Sequence, residues 1–402
     1  MSCKNKIYTL QELLTIKYGK NQKKVQDNEK GKYPIYGTGG LMGYAKDFLY
    51  DKPSVLIGRK GSISKVKYVE HPFWTVDTLF YTEVNEEIVI PKYLYYKMSL
   101  IDLSNYNEGT TIPSLRTETL NRIELQIPTL EEQKATVKLL DSLDKKIELN
   151  NEMNKTLEEM AQALFKRWFV DFEFPNDEGE PYKSSGGEMV ESELGMIPCT
   201  WSISKLGDIC EVKGGKRLPK GKIVQDTKTD YPYLRVTDVT KGYVDMSSIK
   251  YIDEETREVI QRYIINYEDI YISIAGTVGL VGTIPKELDN ASLTENMARI
   301  ITKTLNRNYI NLYMNSEYGM EHIKSTTVGS TQPKLPLYAI KSMDVIIPNI
   351  KILDEFSKVV DSIYNQIEAN LGNSIVLKDL RDSLLPKLMS GEIRVEDIEA
   401  NL

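Results

Sequence analysis

Along residues 131–168, a stretch without Pro or Gly, one set of positions is spaced alternately by three and four: Leu140, Leu143, Ile147, Asn150, Asn154, Leu157, Ala161, Leu164 and Trp168. This is the a/d stripe of a coiled-coil helix, apolar except at its two asparagines. The same register near the C-terminus picks out Val360, Ile363, Ile367, Asn370, Ser374, Leu377, Arg381 and Leu384. Pro348 precedes that second helix, Pro386 falls near its end, Gly372 is a weak point within it, and Arg381 interrupts its seam. Each helix spans about 35 residues, roughly 50 Å at 1.5 Å per residue. One stripe cannot bury itself, so the two helices are expected to pair, with Asn150 and Asn370 either facing each other in the seam or hydrated at its edge. The first helix leads away from one globular part and delivers the chain to another, which favours an antiparallel pair with a globular part at each end.

Elsewhere the pattern is short and β-rich: Ser54-Val-Leu-Ile-Gly, Phe80-Tyr-Thr-Glu-Val, Asp269-Ile-Tyr-Ile-Ser-Ile and Met297-Ala-Arg-Ile-Ile-Thr, among turns and a few helical stretches. The class is therefore α+β. Between the halves, residues 170–198 are rich in Gly, Pro, Ser and acid and read as an exposed linker. Its start, Phe165-Lys-Arg-Trp168-Phe169-Val-Asp-Phe172-Glu-Phe174, is too apolar for that and is expected to pack on the helices or on a partner.

The chain is written twice. Shifted by 220 residues, Gly109-Thr-Thr-Ile-Pro113-Ser-Leu115 falls on Gly329-Ser-Thr-Gln-Pro333-Lys-Leu335, and Ile127-Pro128 on Ile347-Pro348; 14 of the 56 positions from 109 to 164 are identical. Upstream the copies drift: Tyr8–Leu13 resembles Trp201–Leu206, Tyr33-Pro34 resembles Tyr231-Pro232, and Gly61-Ser62-Ile63 is a weaker match to Gly276-Thr277-Val278. Each half thus has a variable front part and a better-matched back part.

Composition narrows the chemistry. The 402 residues suffice for several domains, with no run of about 18 apolar residues to cross a membrane and no signal-peptide pattern at the N-terminus. The expectation is a soluble, cytoplasmic protein. Cys3, Cys199 and Cys210 form no CxxC pair, and His71 and His322 are the only histidines, both read as surface residues. That argues against a Cys/His zinc site or a Ser-His-Asp triad. The nearest phosphate-loop pattern, Gly215-Lys-Arg-Leu-Pro-Lys-Gly221-Lys222-Ile223, has one residue too many and Ile where Ser or Thr is required. Asp208 with Glu211-Val-Lys213 is too tightly spaced for a nuclease metal site.

The formal net charge is −7, but residues 1–107 hold 16 Lys+Arg against 11 Asp+Glu, and residues 201–328 hold 17 of each. The acid therefore sits on the helices and linker, leaving the front parts able to present cations to phosphate. Two matched loops do so: Lys20, Lys23 and Lys24 in the first copy, and Lys216, Arg217, Lys220 and Lys222 in the second, each beside glycine. Arg59, Lys60, Ser62 and Lys65 form a third cluster, answered only by Thr277. The loops with Thr110, Thr111 and Arg116, and with Ser330, Thr331, Gln332 and Lys334, offer hydroxyls and a cation for phosphate or base edges. Arg235 joins the candidates.

The organisation resembles the specificity subunit of type I restriction–modification systems. The resemblance covers nearly the whole chain and is close at Leu164-Phe-Lys-Arg-Trp-Phe-Val-Asp-Phe-Glu-Phe-Pro, Pro181-Tyr-Lys-Ser-Ser-Gly-Gly-Glu-Met-Val and Leu384-Leu-Pro-Lys-Leu-Met-Ser-Gly-Glu-Ile. It implies two pseudo-repeated α/β target-recognition domains, residues 1–130 and 199–350, separated by an antiparallel two-helix coiled coil of residues 131–169 and 351–390. It further implies a non-catalytic subunit whose domains each read half of a bipartite site in double-stranded DNA. The helices would set the gap and dock two methyltransferase subunits, with motor–nuclease subunits joining them. S-adenosylmethionine, ATP and magnesium would belong to those partners, leaving no cofactor in this chain. The alternative is a coiled-coil adaptor that does not bind DNA, against which the matched basic loops speak.

Overall fold

The computed structural model describes residues 6–240 and 242–399; Cys3 lies outside them. The chain divides into two compact units, Met1–Leu149 with Asn373–Leu402, and Asn150–Gly372. Each unit carries one mixed α/β domain and a stretch of both long helices.

In the first unit a four-stranded antiparallel sheet runs in the order Leu14–Tyr18, Leu79–Val84, Ser54–Gly58, Val66–Val69. Ser54–Gly58 is buried along its whole length, the continuous apolar run of a strand covered on both faces. A second sheet pairs Tyr33–Gly37 antiparallel with Gly40–Ala45 and parallel with Trp74–Thr75. Lys6–Thr9 pairs with Glu124–Ile127, closing the domain just before the first long helix.

The second unit repeats this plan, with one strand, Ile264–Ile265, added to the smaller sheet. Its four-stranded sheet is Cys210–Gly214, Met297–Thr302, Ile270–Ser273, Val281–Thr283. Pro232–Leu234 pairs antiparallel with Lys250–Tyr251 and parallel with Ala291–Leu293, and Ser202–Lys205 pairs with Asp344–Ile347. The duplication, read mainly from the back parts and from a few drifting matches upstream, therefore extends through front parts whose sequences have diverged.

The first long helix, Leu130–Phe165, opens on a capping box: Thr129 N–H donates to Glu132 Oε2 (3.2 Å) and Glu132 N–H to Thr129 Oγ1 (3.4 Å). A single π turn, Lys166–Val170, ends it. The second, Ile350–Ser390, opens on Asn349, whose Oδ1 accepts from Ile352 N–H (2.9 Å). It is one 41-residue element, uninterrupted at Gly372 and with Pro386 in its last turns.

Within each unit the two helices run antiparallel. In the first, Asp144 meets Arg381 while residues 135–140 pack among Leu384–Met389. In the second, Asn150 and Asn154 meet Asn370 while Phe165 meets Phe356. Of the expected seam, Leu140, Asn150, Val360, Ile367 and Asn370 are buried; Leu143, Ile147, Leu157, Leu164, Ile363, Leu377 and Leu384 are half-buried. Asn370 Nδ2 donates to Asn154 Oδ1 (2.8 Å), Asn150 Nδ2 to the Asn370 carbonyl (3.4 Å), and Gln366 Nε2 to Asn370 Oδ1 (2.9 Å). These asparagines face one another inside the pair.

Residues 170–198 are more structured than a linker. Phe172 and Phe174 are buried, Phe174 stacks on both Tyr182 (4.6 Å) and Trp201 (4.8 Å), and Met189–Ser192 forms a hairpin with Gly195–Pro198. The aromatic run before them joins the core of the second unit, Phe169 lying against Phe356 (4.7 Å) and Tyr309 (4.8 Å).

Candidate nucleic-acid interface

Two of the candidate loops in the first domain bond to one segment, residues 75–79, and a third is tied to the second of them. Gly19 N–H donates to the Leu79 carbonyl (3.0 Å) and Lys20 N–H to the Thr75 carbonyl (2.8 Å), while Trp74 Nε1 donates to the Lys20 carbonyl (2.8 Å). A Cβ at residue 19 would lie 2.0 Å from the Val76 carbonyl oxygen, so only glycine allows this approach. Arg59 N–H donates to the Thr78 carbonyl (2.9 Å) and Arg59 Nη1 to that of Asp77 (2.9 Å), which holds the guanidinium 5.1 Å over the Tyr18 ring. The third loop is tied to the second: Gly61 N–H donates to the Pro113 carbonyl (2.9 Å) and Leu115 N–H to that of Arg59 (2.9 Å), with Lys60 bridged to Ser114. Asn107 Oδ1 shapes that loop by accepting from Gly109 N–H (2.9 Å) and Ser114 N–H (2.8 Å).

The second domain builds the same junction on residues 293–297. Gly215 N–H donates to the Met297 carbonyl (2.9 Å), Lys216 N–H to that of Leu293 (2.8 Å), and Tyr233 Oη to that of Lys216 (3.0 Å). A Cβ at residue 215 would sit 2.0 Å from the Thr294 carbonyl oxygen, as at residue 19. Ile274 N–H donates to the Asn296 carbonyl (2.8 Å), Leu335 N–H to that of Ile274 (2.9 Å), and Ala275 bridges Lys334. Gly61 and Gly276, matched only weakly in sequence, both adopt left-handed φ, 85° and 78°.

The side chains at the two junctions differ. Lys20, Lys23, Lys24, Lys60, Ser62, Lys65, Thr110 and Thr111 are exposed. Arg116 is exposed and paired with Glu108 (3.0 Å). In the second domain Lys216 sits 5.6 Å over the Tyr263 ring, and Lys220, Thr277, Ser330, Thr331, Gln332 and Lys334 are exposed. Arg217 pairs with Glu295 (2.7 Å), and that hydrogen bond raises the guanidinium pKa; burial raises that of Glu295, but the hydrogen bonds from Arg217 and Thr294, with the arginine's charge, together outweigh it and lower the pKa. Lys222 is bound to Glu255 (2.5 Å) and Asp253 (3.2 Å). Arg235 grips the buried Asp238 through Nε (2.9 Å) and Nη2 (2.5 Å) and donates to the Ser248 carbonyl (2.8 Å), so its guanidinium fastens a turn.

Exposed apolar residues occur in the same two domains: Leu41 and Met42 in the first, Ile112 between Thr111 and Pro113 of its third loop, and Tyr338 a few residues beyond Lys334 in the second. Sequence reasoning missed them, because an apolar residue in a β-rich stretch reads as core. The signal at Leu41-Met42 was its frame of glycines, Gly39-Gly40 and Gly43.

The residues weighed for other chemistry have structural surroundings. Glu211 pairs with Lys213 (2.7 Å) and Lys303 (3.5 Å), and burial pushes the Cys210 thiol up to about 12. His71 meets the Tyr36 hydroxyl (3.1 Å) and His322 the Ala339 carbonyl (2.9 Å). Among the described residues no group of three or more His, Cys, Asp or Glu is placed to hold a metal ion, and no helix is long and apolar enough to cross a membrane.

Comparison with known proteins agrees with this geometry. The family model described as the type I restriction modification DNA specificity domain matches twice, over residues 4–159 and 198–377. The type I restriction enzyme MjaIX specificity subunit of Methanocaldococcus jannaschii is 30% identical over 357 residues, covering 87% of this chain and 80% of its own. The HindI specificity subunit of Haemophilus influenzae is 24% identical, covering 80% and 81%. Among solved structures, a type I restriction–modification S subunit from M. genitalium covers 96% of both chains with a TM-score of 0.57 at 18% identity, a likeness of fold. A duplicated domain, each copy followed by a long helix and matched by the same family model, makes this chain a member of the type I restriction–modification DNA specificity subunit family.

Proposed function

We propose that the chain is the sequence-reading, non-catalytic subunit of a type I restriction–modification complex, each domain recognising one half of a bipartite site in double-stranded DNA. The observation that carries this reading is the repeated three-loop junction, in which two loops bond to one backbone segment and the hydroxyl-bearing third loop is tied to the second of them in each domain. Exposed lysines neutralise phosphates and fix register, while hydroxyl, amide and guanidinium groups on the 109–116 and 329–335 loops lie within the same cluster to meet base edges. Joining two moderate half-site affinities in one chain raises the affinity for the full site through effective concentration. On this reading the paired helices set the gap between half-sites and dock two methyltransferase subunits, with motor–nuclease subunits completing the assembly. The chemistry, with S-adenosylmethionine, ATP and magnesium, resides in those partners.

Exchange of residues 1–129 for those of another family member tests independent reading. Genome-wide mapping of methylated adenines is expected to show one half of the motif changed and the other half and the gap retained. Alteration of both halves would refute the proposal.

A further inference from the structure

The hairpin of Tyr33–Gly37 and Gly40–Ala45 carries, on its returning strand, two apolar side chains that the domain leaves in solvent: Leu41 is 54% and Met42 51% exposed. Backbone contacts place them at the edge of the first domain's loop junction. The Met42 side chain lies against Gly37, where a Cβ would meet its sulfur at 2.3 Å, and Gly37 in turn borders Val76. Val76 N–H donates to the Tyr36 carbonyl (3.1 Å), and the next residues, Asp77 and Thr78, hold Arg59 and Lys60. On its other side the hairpin is stitched to the basic loop: Lys46 N–H donates to the Val25 carbonyl (2.9 Å), Asp27 N–H to that of Tyr44 (2.8 Å) and Lys32 N–H to that of Ala45 (2.9 Å). The hairpin that carries the apolar pair is thus tied by its far end to the loop that follows Lys23 and Lys24 and, through Tyr36 and Val76, to the segment that holds Arg59 and Lys60.

We propose that Leu41 and Met42 form a wedge that enters the DNA groove at the half-site read by the first domain and partly unstacks a base step there. This deepens the DNA-reading function and rests on it. The flanking charge selects the occupant. Residues 20–60 include Lys20, Lys23, Lys24, Lys30, Lys32, Lys46, Lys52, Arg59 and Lys60 against Asp27, Glu29, Asp47 and Asp51. An apolar tip framed by such cations suits a polyanion whose interior is apolar, and Leu and Met are among the side chains that proteins insert between base pairs. Gly40 and Gly43, with φ of 112° and 149°, give this strand a backbone that side-chain-bearing residues rarely adopt. In the second domain the answering strand, Lys250–Tyr251, is half-buried and presents no exposed apolar pair, so the proposed wedge belongs to the first domain's half-site.

The test uses the full chain assembled with its methyltransferase subunits and duplexes carrying the target mapped from genomic methylation, with 2-aminopurine at successive positions of each half-site. With the native chain, fluorescence is expected to rise on binding at one step of the first domain's half-site. With Leu41→Ser/Met42→Ser that rise is lost and binding to the full site weakens on the order of tenfold, while discrimination at the other half-site is retained. Specific binding with the same fluorescence and affinity in both proteins overturns the wedge and leaves DNA reading intact. Loss of methyltransferase assembly in the absence of DNA also overturns it, assigning the pair to a protein contact. If the native complex shows no specific binding to the mapped site, the DNA-reading function itself fails.

Discussion

Asp141 on the first long helix is flanked by Lys92 from the recognition domain and by Lys145 one turn along (2.9 Å). Burial raises its pKa, but the hydrogen bonds and charges of the two lysines outweigh this and hold it below the ordinary carboxylate range. Because the folded state lowers the pKa, the pair stabilises the fold fully above the unfolded value, about pH 4, and fades as the pH falls through the lower folded value. Asp141→Asn is therefore expected to cost roughly 1–2 kcal/mol at neutral pH. Thermal unfolding of the two proteins should converge as the pH is taken below about 4. A gap that persisted in acid would assign the loss to packing instead. The neighbouring Asp144 accepts from Arg381 Nη1 (2.7 Å) and from the Tyr96 hydroxyl (2.6 Å), so the arginine that interrupts the apolar stripe answers a carboxylate on the facing helix.

At the scale of elements, the second long helix passes through Gly372 without a break, and a Cβ there would meet nothing within 4 Å. Gly372→Ala should raise the unfolding free energy by about 0.5–1 kcal/mol, read as a higher urea midpoint, since glycine costs that much in a helix interior. An unchanged or lower midpoint would mean that the helix bends there in solution. The helices were legible in the sequence because a three-four spacing reports directly on one buried face, and the constant offset of 220 residues paired Asn150 with Asn370. The polar contact added Asn154 and Gln366, which stripe counting alone does not connect. The back-part loops were legible from their turn residues. The junctions they join were not, because residues 75–79 and 293–297 hold the loops chiefly through backbone carbonyls, which no side-chain pattern reports. For the same reason nothing local told that Arg235 and Lys222 are engaged by carboxylates while Lys20 and Lys60 are exposed. Residues 170–198 have the composition of a linker, and only the packing of Phe172, Phe174 and Trp201 reveals a folded segment.

For the whole molecule, the formal charge of −7 conceals a first domain whose residues 1–107 carry an excess of cations, while residues 201–328 of the second are balanced. Removal of one helical turn from both the 140–164 and 360–384 stretches is expected to shorten the gap in the methylated motif with both half-sites kept, as the proposed spacing role requires; an unchanged gap in methylation mapping would reject that role. The first compact unit is discontinuous, since Asn373–Leu402 completes what Met1–Leu149 begins, with Leu388, Met389 and Val395 buried in the same core as Leu10 and Leu140. During synthesis, then, the domain made first stays unfinished longest. Its apolar helix face waits for the stretch that holds Leu388, Met389 and Val395 to leave the ribosome, so a chain cut short before that stretch carries a damaged early domain as well as a missing later part.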